Sequence, residues 1–182
     1  YSFGEGGYGQ LGHGNTDDQA ALLQEIFRDT AFRDANHVCA MNSINWVRIA
    51  VQASCYVYSY LRVIGAAAIA TSSPDVWPEV HFAVPTGAFG NAFSGYLAKR
   101  MGLPIDRLVV ATNQNDILHR CLSGQGYHKG PTVPSISPSM DIQVSSNFER
   151  VLFDAYGRDG NAVAQLMDEL KSGGFKVSQG AL

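Results

Sequence analysis

Charge is scarce in this sequence. Asp, Glu, Lys and Arg make up 16% of its 182 residues and balance to a net charge of −3. No run of five or more basic residues occurs. A field able to recruit nucleic acid or an acidic membrane surface is excluded, so neither partner is expected. Long apolar runs are lacking too. The longest, Val63 to Ala70, falls far short of the ~20 residues that a membrane span needs. The opening stretch "YSFGEGGYGQ" has no basic region followed by an apolar run. It does not read as a secretory signal, and a cytoplasmic location is expected. Cysteine is rare: Cys39, Cys55 and Cys121 are odd in number and widely spaced. That usage fits buried thiols in a reducing compartment, not a disulfide frame or a zinc site. No His, Cys and carboxylate spacing supports a metal.

What is present is a globular composition, 46% hydrophobic, with length enough for one ordinary domain. Residues 1–15 form a glycine-rich lead-in without apolar periodicity. They hold two literal copies of the dinucleotide fingerprint, Gly4-x-Gly6-x-x-Gly9 and Gly7-x-Gly9-x-x-Gly12. No strand precedes either copy and no helix opens after it, so the context is wrong for a dinucleotide. Residues 16–182 carry the periodic patterns. Thr16 to Gln19 is a capping box for a helix running to about Arg28. Ser43 can cap a second helix, continued through "INWVRIAVQASCYVYSYLRV". Its apolar residues ring most of the circumference, which predicts extensive burial.

Val80 to Val84 reads as an interior strand, Asn91 to Met101 as a helix, and Leu108 to Ala111 as a second buried strand. A strand–helix–strand unit needs a right-handed crossover and therefore parallel strands. The class is α/β, with an open, mostly parallel sheet covered by helices. Asn113 is placed to cap a short helix in "NQNDILHRCL". A long loop with three prolines follows and ends at Asp141. Ser146 and Glu149 offer a second capping box, ahead of a helix that Gly157 ends. Asp159 to Ser172 is amphipathic and closed by Gly173-Gly174, and "FKV" begins a strand or an edge.

The turn Thr86-Gly87-Ala88-Phe89-Gly90-Asn91 joins the first strand to its helix. Ligands of open α/β sheets bind beyond the carboxyl ends of strands. A helix N-terminus there offers free N–H groups and a positive dipole end. Gly87 and Gly90 let backbone approach an anion, Thr86 can add a hydroxyl, and Asn91 an amide. The turn has no lysine, so it is not a nucleotide P-loop. From local physics alone, a plain structural corner and a phosphate cradle both remain open.

Four long stretches weigh on that choice: "NSINWVRIAVQ", "VPTGAFGNAFSGYLAKRMGLPI", "LVVATNQNDILHR" and "SPSMDIQVSSNFERVLFDAYGRDG". In order and spacing they resemble the middle portion of threonine synthase of the bacterial and fungal type, over about Thr16 to Phe175. The resemblance implies a fold-type II enzyme that uses pyridoxal 5'-phosphate and converts O-phosphohomoserine and water to threonine and phosphate. It makes Thr86, Gly87, Ala88, Phe89, Gly90 and Asn91 the cofactor-phosphate loop. The family usually has Asn at position 88 and Asp at position 91. The turn is also similar to that of threonine-synthase-like phospholyases, which keeps a second substrate outcome open. The family's Schiff-base lysine sits in a Phe-Lys-Asp motif, and none of Lys99, Lys129, Lys171 or Lys176 lies in one. Residues 16–182 thus resemble a partial domain without the lysine region and the C-terminal part. A catalytically empty remnant that binds a phosphate compound or a partner chain is the non-enzymatic alternative.

Within that resemblance, Asn42, Ser43, Asn45 and Arg48 cluster at a helix start. They either cap it or face the substrate's phosphate or carboxylate, with Arg48 the natural partner of a dianion. Asn115 and Asp116 lie past the second strand's carboxyl end, on the rim of the glycine turn. Asp141 is placed to orient the long loop or close the site. The sequence leaves oligomeric state open.

Overall fold

The computed structural model describes residues 24–38, 44–71, 73 and 76–177. The glycine-rich lead-in, the Thr16–Gln19 capping box, Cys39, Asn42 and Ser43 lie outside the described residues. Residues 24–28 are helical and stop before Asp29, close to the expected end at Arg28. Asp29 then caps a short helix that the pattern did not announce, α1 (Thr30–Ala35), by accepting from the Phe32 N–H at 2.9 Å.

Helix α2 (Trp46–Thr71) is two helical segments joined at Gly65, whose φ of 80° and ψ of 158° break the ladder. Asn45 opens it, its Oδ1 accepting from the Val47 N–H at 2.9 Å. The expected burial of this helix is corrected. One stripe, Ile49, Ala53, Tyr56 and Tyr60 at a spacing of three to four residues, enters the core. Val47, Val51, Val57, Tyr58 and Val63 face outward and are exposed. Cys55 is exposed as well, against the expectation of buried thiols, whereas Cys121 is buried. Burial pushes the Cys121 thiol up to about 11, so it stays protonated and unreactive at neutral pH.

Strands β1 (Val80–Pro85) and β2 (Ile105–Ala111) are parallel, joined by α3 (Gly90–Arg100), as the strand–helix–strand pattern requires. Phe82 pairs with Leu108 and Val84 with Val110 across the sheet. These four side chains point toward the helices. Ala83, Arg107 and Val109 point the other way and are exposed. Both strands were expected to be interior. Only one face is covered among the described residues, so alternation replaces continuous burial.

Four further segments complete the described chain: α4 (Ile117–Leu122), a 3₁₀ turn (Pro138–Met140), α5 (Phe148–Ala155) and α6 (Gly160–Ser172). Helix α5 stops ahead of Gly157, and α6 runs from its Asp159 cap to Gly173. "FKV" does supply an edge: Phe175 forms an antiparallel bridge with Tyr127. The core gathers Phe89 and Phe93 of the turn and α3, Ile117 and Leu118 of α4, and Phe148 and Leu152 of α5. Helices α2 and α3 cross closely because Gly95 has no side chain. A Cβ there would stand 2.6 Å from the Tyr56 ring. No helix among the described residues is long and apolar enough to cross a membrane.

Candidate functional site

The turn between β1 and α3 is held rigidly, but not by the conformational freedom of its glycines. Phe89 is the residue in the left-handed region, at φ 64° and ψ −1°, and it is the N-cap of α3. A Phe in that conformation costs roughly 1–2 kcal/mol. Burial supplies the counterweight: its ring packs edge-to-face on Phe148 at a centroid distance of 5.3 Å. The Phe89 carbonyl accepts from the Phe93 N–H at 2.8 Å, the first bond of the helix. The N–H groups of Gly90, Asn91 and Ala92 therefore precede the intrahelical ladder, with the positive dipole end behind them. No acidic residue sits in this first turn of α3.

Other segments hold the outward carbonyls of the turn. Ser145 Oγ donates to Gly87 O at 2.6 Å. Asn147 donates to Ala88 O from both its backbone N–H and its amide, each at 3.0 Å. Two carbonyls are thus turned toward α5, which leaves N–H groups to face the other side. Asn147 itself is the N-cap position of α5, with no side-chain cap bond. The capping box expected from Ser146 and Glu149 is replaced, because the cap residue serves the turn instead.

A cavity of about 170 Å³ opens on this side. It is lined by Pro85 to Asn91, by Arg48 and Gln52 of α2, and by Ser139 and Met140 of the long loop. Arg48, Gln52 and Tyr56 stand four residues apart, so they form one polar stripe down a single face of α2. Tyr56 reaches α3: its hydroxyl lies 2.9 Å from Asn91 O and 3.0 Å from Asn91 Oδ1. Burial pushes the Tyr56 phenol up to about 12, so it keeps its proton at neutral pH and can donate to Asn91. Sequence reasoning missed Gln52 and Tyr56. The i, i+4, i+8 polar spacing on an otherwise apolar helix was the available signal.

The start of α2 is pinned from a distance. Arg150 donates to Ile44 O at 2.8 Å and to Asn147 Oδ1 at 3.0 Å, and its guanidinium lies over Trp46 at 5.6 Å. The same Asn147 holds Ala88, so one α5 cluster sets both the turn and the entry to the Arg48 stripe.

The long loop is clamped from inside by side chains. Asp141, 4% exposed, accepts from Ser135 N–H and Oγ at 2.8 and 2.7 Å, from Asn113 Nδ2 at 2.7 Å and from Asn115 Nδ2 at 3.0 Å. Burial pushes its carboxyl up, and the bonds from Ser135, Asn113 and Asn115 outweigh that, so it sits below the usual carboxylate range. Asn115 also donates to Val133 O and accepts from Val133 N–H, both at 2.8 Å. Gln143 donates to Asn115 Oδ1 at 3.2 Å and to Pro131 O at 3.0 Å. This strap runs against the turn: a Cβ on Gly87 would meet Met140 Cα at 3.2 Å and Ser139 O at 3.3 Å.

The predicted residues divide accordingly. Thr86 to Asn91 and Arg48 meet at one cavity. The Thr86 hydroxyl is buried and donates to Val84 O at 2.7 Å, so its proton serves the strand end. Asn45 caps α2, the role that Ser43 was expected to fill. Asn113 is not the cap of α4, which is Asp116; its side chain closes an Asx turn on Asn115 N–H and joins the clamp. Asn115 stands in the clamp beside the turn rather than on the cavity, and Asp116 pairs with Arg120 at 2.8 Å. None of the four lysines lines the cavity; Lys99 donates to Asp106 O, and Lys171 pairs with Asp168.

The depressed Asp141 carboxyl has a pH signature. A carboxyl lowered by folding stabilises above its unfolded value near 4 and loses that contribution as pH falls through the folded one. The melting-temperature gap between wild type and Asp141→Asn is expected to narrow from pH 7 to pH 3. A gap constant over that range would contradict the assignment.

No protein-family profile matches the chain. Individual proteins do. A threonine synthase of Pseudomonas aeruginosa is 50% identical over 161 residues, which is 88% of this chain and 32% of that protein. A human protein named threonine synthase-like 2 is 38% identical over 161 residues, 87% of this chain and 32% of its own length. The crystal structure of threonine synthase from Brucella melitensis with pyridoxal phosphate bound superposes with a TM-score of 0.76 at 49% identity, covering 93% of this chain and 34% of that one. The chain spans about a third of the length of the relatives it matches.

Proposed function

We propose, from a chain that corresponds in sequence and fold to about a third of a threonine synthase, that the turn Thr86–Asn91 holds the phosphate of pyridoxal 5'-phosphate. The carrying observation is the shared cavity: a helix N-terminus with its carbonyls tied away, and an arginine from another helix on the same wall. Those donors fit a phosphate monoester. Gly90, Asn91 and Ala92 N–H groups point along the dipole, and the uncharged turn leaves the compensating charge to Arg48. Gln52 and the Asn91 amide supply neutral polar groups, and the Tyr56 hydroxyl holds Asn91 in place.

The cofactor would supply an electron sink for removing protons from a bound amino acid. What this chain contributes is anchorage and orientation. The turn fixes the phosphate end, the Ser139–Met140 strap walls the cavity, and Arg48 draws the anion in. On this reading the reaction class is a carbon–oxygen lyase acting on O-phosphohomoserine, with water added to give threonine. The covalent lysine would come from sequence other than the described residues.

The test is equilibrium binding of pyridoxal 5'-phosphate against pyridoxal, which lacks the phosphate. The phosphorylated form is expected to bind and pyridoxal to bind far more weakly. Arg48→Gln is expected to weaken the phosphorylated form about tenfold, the worth of one charge-assisted contact. Equal binding of the two compounds would remove the phosphate cradle from consideration. The phospholyase reading rests on Ala88 and on the human relative. It predicts phosphate release from O-phosphohomoserine without threonine, which product analysis separates.

A further inference from the structure

We propose that Asp141 is a positioning residue for the phosphate cavity: it draws Asn113, Asn115 and Ser135 onto one carboxylate and so sets Ser139 and Met140 as the wall beside Gly87. The inference rests on the phosphate reading given above. Beyond the Tyr127 bridge to Phe175, residues 128–147 hold no regular element apart from one short 3₁₀ turn, so side-chain bonds do much to define their path. Those bonds converge. Asn113 and Asn115 sit just past the carboxyl end of β2, the strand paired with the one that leads into the glycine turn. Ser135 and Asp141 bracket the segment that carries Ser139 and Met140. A single acidic group therefore ties the cavity's far segment to the sheet rim from which its near segment springs.

The chemistry requires a carboxylate. All four bonds from its three partners are donated to it, and an ionised carboxylate is the only side chain that accepts at both oxygens and donates at neither. Asparagine at this position, in either amide orientation, sets an NH₂ against at least one N–H or O–H. Alanine removes the one acceptor that Asn113 and Asn115 share, leaving Asn113 only Ser135 Oγ and Asn115 only Val133 O and Asn113 Oδ1. The wall lies close on the turn, where a Gly87 Cβ would meet Met140 Cα at 3.2 Å and Ser139 O at 3.3 Å.

The experiment titrates the purified protein with inorganic phosphate and with pyridoxal 5'-phosphate, calorimetrically and well below every variant's melting temperature. Asp141→Asn is expected to weaken both ligands about tenfold or more, as a misplaced wall does. Ser135→Ala, which removes one of the four donors and keeps the carboxylate, is expected to weaken them less and serves if Asp141→Asn does not fold. Leu166→Ala, a core truncation in α6 away from the cavity, supplies matched thermal loss and should leave both affinities unchanged. Amide hydrogen exchange should rise over residues 133–142 in Asp141→Asn while Phe82 to Val84 stay protected. Wild-type binding that Asp141→Asn retains at equal affinity overturns this inference alone. Absence of any wild-type binding overturns both it and the phosphate reading.

Discussion

Phe148→Ala is expected to lower the unfolding free energy by about 3–5 kcal/mol, the usual cost of truncating a fully buried aromatic. The ring is 1% exposed and lies between two others, Phe89 at 5.3 Å and Tyr127 at 5.2 Å. Its removal opens a void that a strained turn borders. Phe89 then keeps its left-handed backbone without the contact that offsets it. The turn is expected to relax, and phosphate affinity to fall beyond what stability alone dictates. Phe175→Ala is the control. It removes another ring neighbour of Tyr127, at 5.0 Å, one that does not line the cavity. Denaturant titration gives the stability changes; phosphate titration below both midpoints separates the two variants. A loss under 1 kcal/mol for Phe148→Ala would show that the aromatic stack does not hold the turn.

Gly95→Ala is expected to destabilise by about 1–3 kcal/mol, although alanine is normally the better helix residue by about 1 kcal/mol. The added carbon would stand 2.6 and 2.7 Å from two atoms of the Tyr56 ring and 2.9 Å from Leu108 Cδ2. Tyr56 cannot step aside freely, because its hydroxyl is held at Asn91. Pushing the ring away therefore also disturbs the amide beside the cavity. A double-mutant cycle isolates the clash: in a Tyr56→Ala background, Gly95→Ala should cost little or become favourable. Additive losses would place the effect elsewhere.

Local signals carried the parts of this molecule that were legible in advance. The strand–glycine turn–helix–strand order depends on neighbours in sequence, and the structure has it with parallel strands. Asp159 and Gly173 bracket α6 by contacts within a few residues, and those were read correctly. Misreadings arose where one local signal serves two uses. An asparagine ahead of a helix looks the same whether it caps the helix or closes a turn and reaches across to Asp141, and Asn113 does the second. The apolar ring of α2 said only that burial was available, not which side this chain covers. Phe89 at a positive φ was hidden between glycines that are the obvious candidates for it. The bond from Arg150 to Ile44 spans 106 positions, and no periodicity reports such a separation.

The Asp141 clamp also bears on how the molecule comes apart. Its bonds join the exit of β2 to a segment more than twenty positions later, so neither can open without the other losing acceptors or donors. Residues 113–115 and 131–143 are therefore expected to open as one cooperative unit, the sheet rim and the irregular strap leaving the native state together, so that a stretch with almost no secondary structure takes on the lifetime of the strand it hangs from.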